Sequence, residues 1–277
     1  LSVASVGAQT ITSVQPRTCL PGQTTQLTVT GAELNDSLRI VASSPDIAVD
    51  VQSVESARAL VAVTLPADFS LGPFGLWFAS SAGSLKQQIL MADDLPAIAD
   101  NGDNHSADAA QPIPWPCAVD GTCDARASDF YRLTVSAGQR IALEVHSQAL
   151  RSQFDPVVRL LDSDGRTLHL SDDSDVGPDV RFRYQFATAG DYLLEVHDSR
   201  NSAGGAPYHL RIGDFPIVSH CFPLAVQRGH DAAVEFAGLD ADGADACQVR
   251  VSRDDVRRIN VSTRLPHGKS SAWAPLL

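Results

Sequence analysis

Oxygen-bearing side chains crowd two stretches of this 277-residue sequence. The first, within 93–116, holds Asp93, Asp94, Asp100, Asn101, Gly102, Asp103 and Asn104, followed by Pro112 and Pro114. Calcium takes about six to eight oxygens from carboxylates, amides, carbonyls and water, and an acidic segment folding onto a sandwich edge supplies such groups. The same composition also makes an ordinary solvated linker. The second stretch is Asp172, Asp173, Asp175 and Asp179. Carboxylates this close repel one another unless a cation or water screens them. Asp and Ser also build plain loops through side-chain-to-backbone bonds, and the loop is the preferred reading. Asp162-Ser-Asp-Gly165 reads as a hairpin turn with Gly165 at positive φ and no chemistry.

Other catalytic constellations lack a signature. There is no His-Glu-x-x-His zinc motif and no Gly-x-Ser-x-Gly elbow. His146, His169, His197 and His209 fall at strand ends or on polar faces, where exposed histidines are expected. None of the five cysteines forms Cys-x-x-Cys, and no histidine pair lies near them at zinc-ligand spacing. They fit an oxidising compartment. Cys117 and Cys123 bracket a short polar turn, Ala118–Thr122, a spacing that closes a small loop, and Cys221 and Cys247 share the last segment. The expected bridges are Cys117–Cys123 and Cys221–Cys247 with Cys19 a thiol; a link from Cys19 to either of the last two is the alternative. Trp77 alternates against Phe74, Leu76 and Phe78 and so faces outward, as a platform for sugar or protein or as a packing surface. Trp115, between Pro114 and Pro116, reads as a lid or plug. The chain is expected not to be an enzyme.

The elements that must position these residues are strands. Period-two alternation dominates, in segments such as 26–30, 60–65, 74–79, 130–135, 140–146, 180–186, 192–197 and 208–212, with turn clusters at Ser136-Ala-Gly138 and Thr188-Ala-Gly190. The apolar fraction of 44% with 19% charged residues is that of a folded protein rather than a disordered one. A net charge of −12 with two lysines, Lys86 and Lys269, disfavours nucleic acid and anionic headgroups. No stretch approaches the ~18 apolar residues of a membrane span. Leu1–Ala8 resembles the small-x-small end of a secretory signal, which implies export and a true start upstream. The stop at 273–277, where another strand is expected, reads as a cut.

Four segments follow: 1–8, a signal remnant; 9–94; 95–214; and 215–277, a shortened repeat of the second. The repeat rests on Gly22 and Gly31, nine apart with Leu27 and Val29 between, against Gly229 and Gly238 with Val234 and Phe236 at the same offsets.

Gln26-Leu-Thr-Val-Thr-Gly31 resembles the signature of immunoglobulin-like IPT/TIG modules. The middle segment is similar to bacterial pre-peptidase C-terminal domains, on Asn104, Ala110–Ile113, Gly121, Asp129–Leu133, Ala137–Gln139, Asp155–Asp162, Gly165, Asp172-Asp173, Ala189–Tyr192 and Tyr208–Arg211. The resemblance implies non-catalytic jelly-roll sandwiches, some binding calcium and some protein or polysaccharide, as in large exported planctomycete-type proteins. It places Asn104 and Asp129 at calcium-ligand positions and Asp100 where a glutamate is usual. Gly102, His105 and Ala127 stand where further acids are common. The expectation is an all-β chain of tandem β-sandwiches, serving as a non-catalytic binding or scaffold module at the cell surface, secreted or periplasmic. The alternative is the substrate-targeting region of a secreted hydrolase.

Overall fold

The computed structural model describes residues 9–81, 83–124, 126–175, 177–202, 204–238, 241, 246–251, 258–263 and 272–277. The signal-like segment 1–8 lies outside them. Every regular element described is a strand apart from one 3-10 turn at Gln148–Leu150, so the all-β expectation holds. Two units are separable, one running to Phe69 and through Pro73–Asp93, the other comprising Ser70–Gly72 and Asp94–Leu277.

The first unit contains β1 (Thr10–Gln15), β2 (Thr18–Cys19), β3 (Thr24–Ala32), β4 (Arg39–Ala42), β5 (Ala48–Glu55), β6 (Arg58–Thr64), β7 (Gly72–Ser80) and β8 (Gly83–Ala92). They form two four-stranded sheets, ordered β1-β3-β6-β5 and β2-β8-β7-β4. Leu27, Val29, Val61, Val63, Phe74, Leu76, Phe78 and Leu90 fill the core. Along β3 the alternation of Leu27 and Val29 with Gln26, Thr28 and Thr30 commits the strand to one buried face. Trp77 points to the other face and is 39% exposed.

The second unit opens with β9 (Ala97–Ala99) and β10 (Gln111–Pro112), then β11 (Cys117–Cys123), β12 (Asp129–Val135), β13 (Arg140–His146), β14 (Pro156–Leu161), β15 (Thr167–Ser171), β16 (Val180–Gln185), β17 (Gly190–Asp198) and β18 (Ala206–Gly213). Two five-stranded sheets result, β10-β12-β17-β14-β15 and β16-β13-β18-β11-β9. Between them lies a core that includes Tyr131, Leu133, Leu143, Leu160, Phe186, Leu194, Tyr208 and Leu210. Beyond 214 come β19 (His220–Phe222), β20 (Asp231–Ala237), β21 (Cys247–Arg250), β22 (Ile259–Ser262) and β23 (Trp273–Leu276), around Val218, Val234, Val261, Ala274 and Leu276.

Two glycines of the expected repeat meet a similar steric constraint. A Cβ on Gly31 would lie 2.0 Å from the Thr10 carbonyl oxygen, and one on Gly238 would lie 2.1 Å from that of Ile217. At both places a neighbouring backbone segment passes too close for any side chain.

Three expectations need correction. The run at 93–116 is not merely a linker: β9 joins β11 in parallel and β10 joins β12 in parallel, so the segment feeds both sheets. Cys117 and Cys123 do not flank a turn. They sit at the two ends of one continuous strand, roughly 20 Å apart at about 3.3 Å per residue, far beyond the ~7 Å Cα limit of a disulfide. Cys221 and Cys247 lie on β19 and β21, which flank β20 on opposite sides. About two strand spacings, ~9–10 Å, therefore separate their backbones. All five cysteines are thiols.

Candidate metal site

The loop between β9 and β10 crosses the end of the middle sandwich from one sheet to the other. Gln111 pins its base, accepting from Asn101 N–H at 2.9 Å and donating to the Ala99 carbonyl at 3.0 Å. The Asn101 side chain accepts from Asp103 N–H at 3.0 Å, and Gly102 takes φ +71° to complete the turn. Asn104 then docks on β12. Its carbonyl accepts from Phe130 N–H at 2.8 Å, and its Nδ2 donates to the Phe130 carbonyl at 3.3 Å. That anchoring buries Asn104 completely and leaves its Oδ1 with no hydrogen-bond partner.

Asp129, the first residue of β12, is 2% exposed. Its Oδ2 accepts from the Tyr208 hydroxyl at 2.6 Å, and that hydroxyl lies 2.5 Å from the one on Tyr131. Gly121 makes this possible. It pairs with Tyr208 across β11 and β18, and a Cβ there would fall 2.0 Å from the Tyr208 ring. The ring lies where that side chain would be, and so reaches across to Asp129. The other oxygen, Oδ1, has no hydrogen bond; His105 Nδ1 stands 3.4 Å away, while His105 Nε2 is 3.0 Å from Asp124.

Burial pushes the Asp129 carboxyl up to about 6. The Tyr208 hydrogen bond and His105 oppose that rise, while the charges of Asp100 and Asp124 add to it. Asp100 also raises Tyr131 and Tyr208, both already pushed up by burial. Its Oδ1 is a third buried oxygen with no hydrogen-bond partner. The three residues singled out in the sequence thus come together at one end of the sandwich, each with an unsatisfied oxygen. Unpaired buried oxygens next to a carboxylate are costly, and a hard cation is the natural counterpart of such a set.

No family model matches this chain, and no curated protein matches it. Among solved structures it is similar to the pre-peptidase C-terminal domain of collagenase from Bacillus anthracis, at 18% identity, covering 37% of this chain and 93% of that one with a TM-score of 0.31. A periplasmic inhibitor of g-type lysozyme from Aeromonas hydrophila aligns at 16% identity over 43% of this chain and 95% of its own, TM-score 0.30. The SGBP-B protein of the Bacteroides ovatus mixed-linkage glucan utilization locus aligns at 12% identity, over 71% and 72%, TM-score 0.24.

The donor set holds two carboxylates, Asp100 and Asp129, and one amide, Asn104. Among the described residues no three carboxylate, imidazole or thiol side chains gather as a metal cluster. Gly102 offers no side chain, and Ala127 is a short apolar one. His105 faces Asp124 and Asp129. Of the acids at 172–179, two take up loop duties. Asp179 accepts from Ser147 and Gln148 N–H at 2.9 and 3.0 Å, and Asp175 accepts from the Ser219 hydroxyl.

Sequence reasoning missed a second polar cluster altogether. His146 and His209, expected to be exposed, are 1% and 0% exposed. They lie on the outer face of the β16-β13-β18-β11-β9 sheet, which Leu95, Phe215 and Ile217 cover. There Arg211 donates to Glu144 at 2.8 Å and stacks 4.5 Å from the Phe215 ring. Arg181 Nε lies 3.5 Å from Glu144, His146 Nε2 lies 3.4 Å from it, and His209 lies 3.0 Å from Asp120. The signal available was the polar alternation of Glu144/His146 and His209/Arg211 on paired strands.

Proposed function

We propose that this chain is an exported, non-catalytic binding and spacing module of a larger secreted or surface protein, with immunoglobulin-like sandwiches flanking a calcium-stabilised pre-peptidase-type one. Asp100, Asn104 and Asp129 hold the ion, with backbone oxygens and water completing its shell, and extracellular protein or polysaccharide is the partner. The observation that carries the reading is that Asp129, a carboxyl that burial and the charge of Asp100 raise, has a buried oxygen without a hydrogen-bond partner, as Asp100 and Asn104 also do. The ion's role there is structural: it neutralises Asp129 and fastens the 100–104 loop to β12. With few acids in the shell, affinity falls in the weak extracellular range of about 10⁻⁴–10⁻³ M.

Thermal melting tests this. In calcium at about ten times such a Kd, stabilisation is roughly 1.4 kcal/mol, a rise in Tm of roughly 3–8 °C over chelator. Magnesium, which demands a regular octahedron, gives much less. Identical melts in calcium and chelator would refute the proposal.

A further inference from the structure

Sheet edges carry unpaired backbone groups, and natural sheets blunt them with charge, proline or short length. Three edges of the middle sandwich follow that rule. β10 is two residues long and ends in Pro112, and β9 has three residues. β16 carries Arg181 and Arg183, whose guanidiniums donate to the carbonyls of Val218 and Phe215 at 2.8 and 2.6 Å, so residues 215–218 lie against it. The fourth edge, β15, is different. It has five residues and none is charged at neutral pH; among the described strands it pairs with β14 alone. It exposes Leu168 at 38% and Leu170 at 55%.

The sequence of this edge is complementary to its own reversal: Arg166-Thr167-Leu168-His169-Leu170-Ser171-Asp172. We propose that β15 docks on β15 of a second copy of this chain, antiparallel, about a two-fold axis at His169. That register sets Arg166 opposite Asp172 of the second copy, Thr167 opposite Ser171, and Leu168 opposite Leu170. Each charged contact occurs twice, as a closed two-fold interface requires.

The local structure presents the edge in a fixed form. Asp162 Oδ1 accepts from both Asp164 and Arg166 N–H at 2.9 Å, and Gly165 takes φ +77°, so the hairpin turn delivers Arg166 to the start of the strand. The His169 ring packs 4.3 Å from that of Phe182, holding the strand against the other sheet. Arg166 lies 3.7 Å from Asp164, with both side chains at least 70% exposed, a pairing too weak to hold it from a better partner. A bulge opposite Leu161 adds local twist and confines the pairing to these few residues. The interface is therefore small, in the weak, concentration-dependent class.

Sedimentation equilibrium of the full chain from micromolar to millimolar concentration tests this. The mass should rise from 29.4 kDa toward twice that value. Leu170→Lys, at an exposed position, should remain monomeric throughout. Arg166→Asp and Asp172→Arg should each weaken association several-fold through like charges set opposite one another, and the double reversal should restore it. A wild-type chain that stays monomeric, a dimer indifferent to Leu170→Lys, or a double reversal that fails to restore association would each overturn the proposal.

Discussion

Two buried carboxylates in the middle sandwich, Glu144 and Asp129, meet opposite electrostatic fates. Burial alone would raise both. At Glu144 the charge of Arg181, then His146 and Arg211, reverses that effect and holds the carboxyl well below the usual range. At Asp129 the partners among the described residues are the Tyr208 hydroxyl and a half-exposed imidazole, and the carboxyl stays raised. One cluster supplies its own cations and fixes a sheet face beneath residues 214–219. The other collects oxygens and leaves them unsatisfied. That contrast between one buried acid balanced by two arginines and another that is not is what motivates the calcium ion proposed at Asp129.

Breaking the balanced cluster should have the largest effect. Glu144→Gln leaves Arg181 and Arg211 as buried cations without their common carboxylate, a loss of about 3–5 kcal/mol, measurable by denaturant unfolding. Because the folded-state value of Glu144 is depressed, its stabilisation is complete above the unfolded glutamate range near ~4.3. It disappears only as pH falls through the lower folded value. The wild type should therefore lose this contribution only in strong acid, and the variant should lack that part of the acid transition.

A smaller effect sharpens the other side. Gly121→Ala forces the Tyr208 ring away from Asp129, at a cost of roughly 1–3 kcal/mol for overpacking. The same change should weaken calcium-dependent stabilisation as Asp129 loses its hydroxyl donor. Comparing melts of this variant with and without calcium separates the two consequences.

The strands were legible wherever alternation set one face against the other, as in β12, β13, β17 and β18, and so was the turn that Asp162 and Gly165 form. β11 was not. Its run Ala118-Val-Asp-Gly-Thr122 has the composition of a turn, yet Gly121 is there to admit a tyrosine ring and Asp120 to meet His209. Both reasons lie more than 80 residues downstream in the chain. The burial of His146 and His209 was hidden for a related cause, since the cover of this face comes from Leu95 and from residues after 214, outside the two strands that carry the histidines. At the candidate metal site, a family resemblance pointed to Asp100, Asn104 and Asp129. Neither their burial nor the Tyr208–Asp129 bond, spanning 79 positions, could be read from local pattern.

Calorimetric titration of calcium into the wild-type chain and into Asp129→Asn tests the central claim most directly. The wild type should bind one calcium ion with a Kd of about 10⁻⁴–10⁻³ M. Asp129→Asn should show no binding while remaining folded, its stability in chelator equal to or above that of the wild type because a buried, uncompensated charge is gone. Absence of calcium binding by the wild type, or undiminished binding by Asp129→Asn, would contradict the account.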